Sequence, residues 1–366
     1  MAVEREYVGI EPLFAVGAYI AASANIDFQQ IFRLAAFAQM TVVIMFICLF
    51  FQQVAFSKKT YRFIILATAL GAGIFCGLNS RLMELQNPER NNLVISFLDN
   101  LRLRLESTID CIQFQDNRTN SIIKALLTGN KKDIPIELIE AFRKSGASHI
   151  LALSGLHLGI IYGLVSCITG LLGHTSMATA TRCFLNLFIC SAYTLATGAS
   201  SSITRALCFI ILKEIGTITD RPSKLERIFR KSLMIQLIIN PASILEVGFQ
   251  LSYAAMAGIT WIHPLLQKIW PEESNIPIAK KIWDTASVSI SCQLTTSPLA
   301  YYYFESFPKY FLLTNLIALP LTGIIIPVSV ATTALSAIGI CPDIMIELAE
   351  KVTGCLIFAL KTISQM

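Results

Sequence analysis

Apolar residues in this chain come in long blocks, not in the one-sided stripes of a water-facing helix. From Ala147 onward the blocks are nearly continuous, and segments able to enter a bilayer begin near residues 148, 183, 200, 231, 247, 284, 311, 324 and 345. A spanning helix needs about 20 mostly apolar residues. Three further segments open the chain, at about residues 12–24, 34–56 and 63–78. In the third, Gly71, Gly73 and Gly77 form a small-residue face suited to close helix contact. Gly198, Pro241, Gly248, Pro298, Pro320 and Pro327 interrupt the later blocks. Broken helices are tolerated in membranes where they face protein or a water-filled cavity.

One long polar stretch, about residues 79–146, divides the pattern. Val94, Leu98, Leu101, Leu105, Ile109 and Ile112 recur there at helical spacing, which predicts amphipathic helices on the membrane surface. Asp133 is the expected cap of a helix that Pro135 opens and Gly146 ends. The short basic run Ser57–Arg62 reads as a cytoplasmic loop. It puts the N-terminus inside and the polar stretch outside. Lys213 to Lys231, with six bases against three acids, reads as cytoplasmic too.

Composition strengthens the membrane reading. Only 14% of the 366 residues are charged and mean hydropathy is +0.62, against roughly 25% charged in soluble domains. So few charges would not cover a soluble surface. The ten cysteines include no Cys-x-x-Cys pair, and most read as small apolar fillers. The polar, mixed-charge start lacks the pattern of a cleavable secretory signal. The expected fold class is all-α: a polytopic transmembrane helix bundle with broken or re-entrant helices and amphipathic surface helices.

Four stretches carry polar groups into this apolar background. Residues 145–159 contain Ser154 and His157, which would share one face of a helix. They could line a path for a polar solute, or simply glue helices together through hydrogen bonds. A serine–histidine hydrolase is a poor fit. The paired residues lie on one turn, and Ala152 stands where an intramembrane protease resembling the rhomboids has glycine. Residues 197–207 place five hydroxyls before Arg205. A central arginine costs roughly 3 kcal/mol even on the insertion scale, so it either snorkels or serves a site that suits a phosphate. Residues 240–258 align Glu246, Gln250 and Tyr253 along one face. The last stretch runs from Gln293 through Tyr301, Tyr302 and Tyr303 to Asn315. Its aromatics could stack bases or form an interfacial belt. No metal-ligand spacing and no Gly-rich phosphate loop occurs, so neither a metal, a cofactor nor ATP hydrolysis is expected.

In order along the chain, these stretches resemble the competence domain of the ComEC family, bacterial inner-membrane channels for DNA. The resemblance rests on residues 146–159, Thr197–Leu207, Gly248-Phe249-Gln250-Leu251-Ser252-Tyr253, Gln293–Pro298 and Asn315–Pro320, with Ala125–Asn130 upstream. It implies N-terminal transmembrane helices over 1–83, amphipathic extracytoplasmic-side helices over 84–146 and a channel domain over 147–366. Single-stranded DNA would pass through a multi-pass channel into the cytoplasm, lined by Ser154, His157, Arg205, Gln250, Tyr253, Gln293 and Asn315. The chain would be no enzyme. Its partners would be the lipid bilayer, DNA-delivery proteins and a cytoplasmic ATPase or helicase, and a homo-oligomer stays open. Many members also carry an external OB-like region and a metallo-β-lactamase-like nuclease domain. Neither is expected here, so the chain reads as a minimal form. The alternative is a small-molecule or ion transporter with a polar site at the membrane midplane.

Overall fold

The computed structural model describes residues 10–24, 58–86, 88–173, 175–219, 224–270, 277–305 and 309–365, with scattered positions between 30 and 42. Among the described residues the fold is all-α, with no strand. The helices are α1 (Ile10–Ser23), α2 (Lys58–Gln86), α3 (Pro88–Asp110), α4 (Asn117–Thr128), α5 (Ile136–Ser145), α6 (Gly155–Thr169) and α7 (Ser176–Ala196). They continue with α8 (Ser201–Ile218), α9 (Leu225–Ile239), α10 (Val247–Ala257), the short α11 (His263–Gln267), α12 (Pro277–Phe304), α13 (Phe311–Ala337) and α14 (Asp343–Ser364). The chain divides into two compact units, Met1–Leu93 with Lys224–Gln250, and Val94–Ser223 with Leu251–Met366.

In the first unit, α1 lies along α2 at backbone contact. A Cβ added to Gly73 would fall 2.1 Å from the Phe14 carbonyl oxygen, and one on Gly17 would fall 2.2 Å from that of Leu70. Gly77 lies against Ala21 and the Ala18 carbonyl. So two of the three expected glycines make the helix contact, while Gly71 faces elsewhere, towards Val42. The Arg81 guanidinium donates to the carbonyls of Ala21 (3.2 Å) and Ala24 (2.5 Å), closing the C-terminal end of α1. A cation belongs there, because the last carbonyls of a helix lack partners. Lys58–Arg62 are already helical, which corrects the expected basic loop: their side of the chain is the first turn and a half of α2. The expected span at 34–56 lies largely outside the described residues.

The second unit is a helix bundle whose core joins α4, α5, α13 and α14 through Leu126, Phe142, Ile325 and Leu360. A second cluster joins α3, α4, α6 and α13 through Ile109, Ile123, Ile161 and Ile326. Helix α4 is buried continuously from Ser121 to Thr128, while α5 is amphipathic, burying Leu138, Ala141, Phe142 and Ser145. As expected, α5 ends at Gly146, which adopts φ 84°. Asp133 is not its cap; Pro135 holds that place. Its carboxylate instead reaches 2.8 Å to Nζ of Lys124, which also lies 2.6 Å from Asp110. This ammonium is one of the few charges in the core. Burial alone would push its pKa down, but the two carboxylates outweigh that and hold it above the ordinary lysine value.

Helices α6, with its 3₁₀ extension, and α13 are long and apolar enough to cross a membrane. Their windows, Gly155–Leu172 and Phe311–Ala337, have mean hydropathy 1.8 and 2.1. Only 28% of each window is buried, so both helices leave apolar surface uncovered, unlike the core helix of a soluble protein. Helix α7 likewise exposes Phe184 and Phe188, and α14 exposes Ile344 and Phe358. The segments expected to start near 311 and 324 are one helix: Pro320 and Pro327 lie inside α13, and Pro298 inside α12. A proline removes one helical bond but not the helix when its neighbours re-satisfy the backbone. Beside Pro298, the hydroxyls of Thr296 and Ser297 bond the carbonyls of Cys292 and Gln293.

Two outcomes test this packing. Gly73→Ala should cost on the order of 1–3 kcal/mol by overpacking, against a near-neutral Gly71→Ala, as read by thermal unfolding in detergent. The stability that Lys124 contributes should be complete below the ordinary lysine pKa and vanish as pH rises through its raised folded value. Comparing wild type with Lys124→Met across alkaline pH checks this, because the gap between them should close there.

Candidate functional site

The site grows from two places where a helix begins inside the second unit. The first is α6. Residues 147–154 are not helical, which corrects the expected start of a segment near 148 and the helical face expected to hold Ser154. Ala147, Ile150 and Leu151 are buried in this segment, and Leu153 packs against Gly129. Ser154 is the N-cap, with extended φ −123° and ψ 166°. Its backbone N–H donates to Nδ1 of His157 at 3.2 Å, and its Oγ lies 2.9 Å from the same nitrogen. The pair is therefore joined as a helix cap, not as two groups on a helical face. An accepting Nδ1 places the ring proton on Nε2. That Nε2 is fully buried and has no hydrogen-bond partner.

The second start is α8. Gly198 (φ 79°) ends the preceding helix, and Ala199 follows at φ 48°. Ser200 (φ −54°, ψ 149°) then caps α8, with its Oγ buried and unpartnered. A left-handed alanine is uncommon, and such strain clusters at functional sites. The two weakly similar Gly-Ala-Ser tripeptides, at 146 and 198, thus both place a left-handed glycine after a helix. Arg205 is 3% exposed in the second turn of α8. Its neighbour Ala206 touches the start of α6, since a Cβ on Gly155 would lie 3.2 Å from the Ala206 Cβ. Phe209, one turn beyond Arg205, meets Tyr253 of α10 with ring centroids 6.4 Å apart.

Helix starts leave four backbone N–H groups each without a helical partner, and their dipoles favour negative charge. Here two starts adjoin, with Ser154, His157, Arg205 and Ser200 around them. Arg102, held to Glu106 at 3.0 Å, passes beside Gly198. This arrangement is rich in donors and suits an anion.

Gln250, in the first unit, donates from Nε2 to the Ile244 carbonyl at 2.9 Å and closes the turn before α10. Gln293 is half-buried on α12, and Asn315 is buried on α13 with an unpartnered Oδ1. No described hydrogen bond joins either to the two helix starts. Tyr301, Tyr302 and Tyr303 are exposed at the end of α12. The sequence reading also missed a buried carboxylate. Glu214, assigned by its neighbours to a charged stretch, is 3% exposed. Asn186, alone in the apolar run from Cys183 to Cys190 of α7, was the available signal, because an amide buried there needs a partner.

The family model described as "Competence protein" matches residues 126–366. A curated relative, ComE operon protein 3 of Bacillus subtilis (strain 168), is 27% identical over 222 residues, which are 60% of this chain and 27% of the relative. The chain thus matches little more than a quarter of that protein's length. No solved structure matches.

Relieving the strain at Ala199 should stabilise the fold. Ala199→Gly should raise stability by about 1 kcal/mol in equilibrium unfolding, although glycine usually lowers it within a folded chain.

Proposed function

Because this chain belongs to the Competence protein family, matched over residues 126–366, we propose that it is a conduit for single-stranded DNA across the bacterial inner membrane into the cytoplasm. The observation that carries the proposal is the accumulation of buried donors at the adjoining starts of α6 and α8. His157 Nε2 and Ser200 Oγ have no acceptor, the helix-start amides point the same electrostatic way, and Arg205 adds a full positive charge. Donors buried without an acceptor, as at His157 Nε2 and Ser200 Oγ, are costly until something arrives to accept. A passing phosphate is such an acceptor.

Phosphates enter hydrocarbon only at prohibitive cost, so a DNA path must be wet and donor-lined. Backbone phosphates are the same in every sequence, and transport that grips them needs no base readout. Tyr253, beside Phe209, would give bases an apolar surface next to Arg205. Ser154 acts indirectly, by fixing the His157 ring. Gln293 and Asn315 would line other parts of the path. The outward apolar surfaces of α6, α7, α13 and α14 support a multi-pass protein in the inner membrane.

In this reading the chain is a passage and not an enzyme. Energy would come from a cytoplasmic ATPase or helicase, with other proteins delivering DNA on the outside, and copies of the chain could associate around the path. The B. subtilis relative's name places it in a ComE operon, which supports a role in DNA uptake.

The test is delivery of labelled DNA to the cytoplasm of cells lacking the chain, with wild type or variants restored. Arg205→Ala should reduce uptake roughly ten- to hundredfold, the equivalent of one charge-assisted bond of ~1.5–3 kcal/mol, while the protein still accumulates in the membrane. His157→Ala should reduce it less, since water can replace a neutral donor. Uptake indifferent to the chain, together with movement of small anions, would favour a solute transporter instead.

A further inference from the structure

The polar segment that carries α3 and α4 is folded deep into the second unit. The two helices run antiparallel as a hairpin: Asn130 donates to Glu106 at 2.9 Å, and Lys124 lies 2.6 Å from Asp110. The connecting turn is Cys111–Asp116. Its depth is fixed by its neighbours. Ile122 of α4 shares one core cluster with Ile325 of α13, and Ile123 shares the other with Ile326, Ile109 of α3 and Ala349 of α14. The backbone N–H groups of Gln115 and Asp116 donate to Oε1 of Glu350 on α14, the second at 3.2 Å. Along the axis, Ile326 stands about 22 Å from the start of α13 and about 17 Å from its end. The hairpin turn is therefore level with the middle of the most apolar candidate span.

What the turn presents at that level is polar. Gln113, Gln115, Asp116, Asn117 and Arg118 are all exposed, and the carboxylates of Asp110 and Asp133 around Lys124 are half-exposed. Such groups are costly against acyl chains. Helix α14 points the same way independently. Its exposed Glu347 and Lys351 pair at 2.6 Å, below them lies exposed Asp343, and the same face continues as Gly354 and Phe358. That face is charged from the start of α14 up to the level of the turn and apolar beyond it. Apolar exposure also flanks the level of the turn on α13 and past its end. Ile324 is 49% exposed, and Ile338, Ile340 and Ile344, nearer the α13–α14 connection, are exposed as well. Lipid-facing positions on both sides leave the polar patch within the membrane zone, not at its edge.

We propose that α3 and α4 form a re-entrant hairpin, and that its polar turn and the first turns of α14 line a water-filled vestibule reaching the middle of the membrane. Non-helical backbone at that depth is tolerated only against protein or water. Here Glu350 takes two amides of the turn, and water takes the exposed side chains. The vestibule opens at the end of the unit where α14 begins. The anion-receptive helix starts lie at the other end, since Thr314, at the start of α13, donates to the Ser145 carbonyl (2.6 Å) just before the segment that leads into α6. A hydrophilic solute received at those starts then has only part of the bundle to cross before it meets water again. The inference rests on the reading of α13 as a span and stands whether or not the solute is DNA.

The test attaches a polarity-sensitive fluorophore to Cys111, exposed at the turn, in the full chain with its other cysteines replaced by alanine. The protein is placed in phosphatidylcholine–phosphatidylglycerol vesicles. Aqueous iodide should quench the label, and a nitroxide in the middle of the acyl chains should quench it more than one on the headgroups. The same label carried by Ile324→Cys, without Cys111, should lose emission to the mid-chain nitroxide and not to iodide. A Cys111 label quenched best from the headgroups would put the turn at the surface and overturn the proposal. One that iodide cannot reach would overturn it too. A wet Ile324 label would overturn the span itself and the vestibule with it, whereas a dry one beside a surface Cys111 removes the vestibule alone. A second pair of variants needs no cysteine replacement. Gln113→Lys should accumulate in membranes like the wild type, because the vestibule hydrates the charge, while Ile324→Lys should not. Equal loss of both would count against a wet turn.

Discussion

A helix start leaves backbone N–H groups without helical partners, and in the second unit two half-buried starts lie close together. In water the problem would be trivial, because solvent would supply the acceptors. Where the surrounding side chains are buried, as at His157 and Arg205, it must be solved locally or left as a standing demand for an acceptor. At Ser154 it is partly solved, since the cap backbone N–H is taken by His157 Nδ1. That solution moves the demand one step outward, to a buried Nε2. At Ser200 the cap side chain makes no bond at all. The position of Arg205, the adjacency of Gly155 and Ala206, and the strained Ala199 all follow from where these two helices are made to start.

How much of this could be read in the sequence depended on the range of the interaction. Apolar blocks show up directly in the sequence, so the all-α class and the long helices followed from them. Gly146 and Gly198 were legible as breaks because a left-handed turn is a local requirement that glycine meets cheaply. Pro320 and Pro327 misled, because the helix of α13 runs on through both. Asp133 looked like a cap on local grounds, but Lys124, nine residues upstream, claims it. Glu214 was misplaced for a similar reason. Its neighbours in sequence are charged, while those in space are Tyr162 and Asn186, brought in by two other helices. Among the expected site residues, Ser154 and His157 were paired correctly by spacing, but as a cap. Gln250 turned out to hold its own turn.

Small residues set distances in both units, with different consequences. Between α1 and α2, glycines bring two backbones into direct contact, and bulk there meets carbonyl oxygens that have no room to yield. Between α6 and α8, Gly155 faces only the Cβ of Ala206, a softer contact that keeps the two helix starts adjacent. The first arrangement locks a pair of helices. The second brings two electropositive ends together, a costly neighbourhood that an anion would relieve.

The two prolines of α13 are seven residues apart, close to two full turns, so both sit on the same side of the helix. The buried stripe of Asn315, Ala318, Thr322, Ile325 and Ser329 runs along the other side. A rod notched twice on one side is not equally soft in all directions. It bends in a single plane, with the notched side becoming the convex one. Helix α13 therefore has one preferred direction of flexure, inward around the core it covers, and is comparatively stiff against sideways bending.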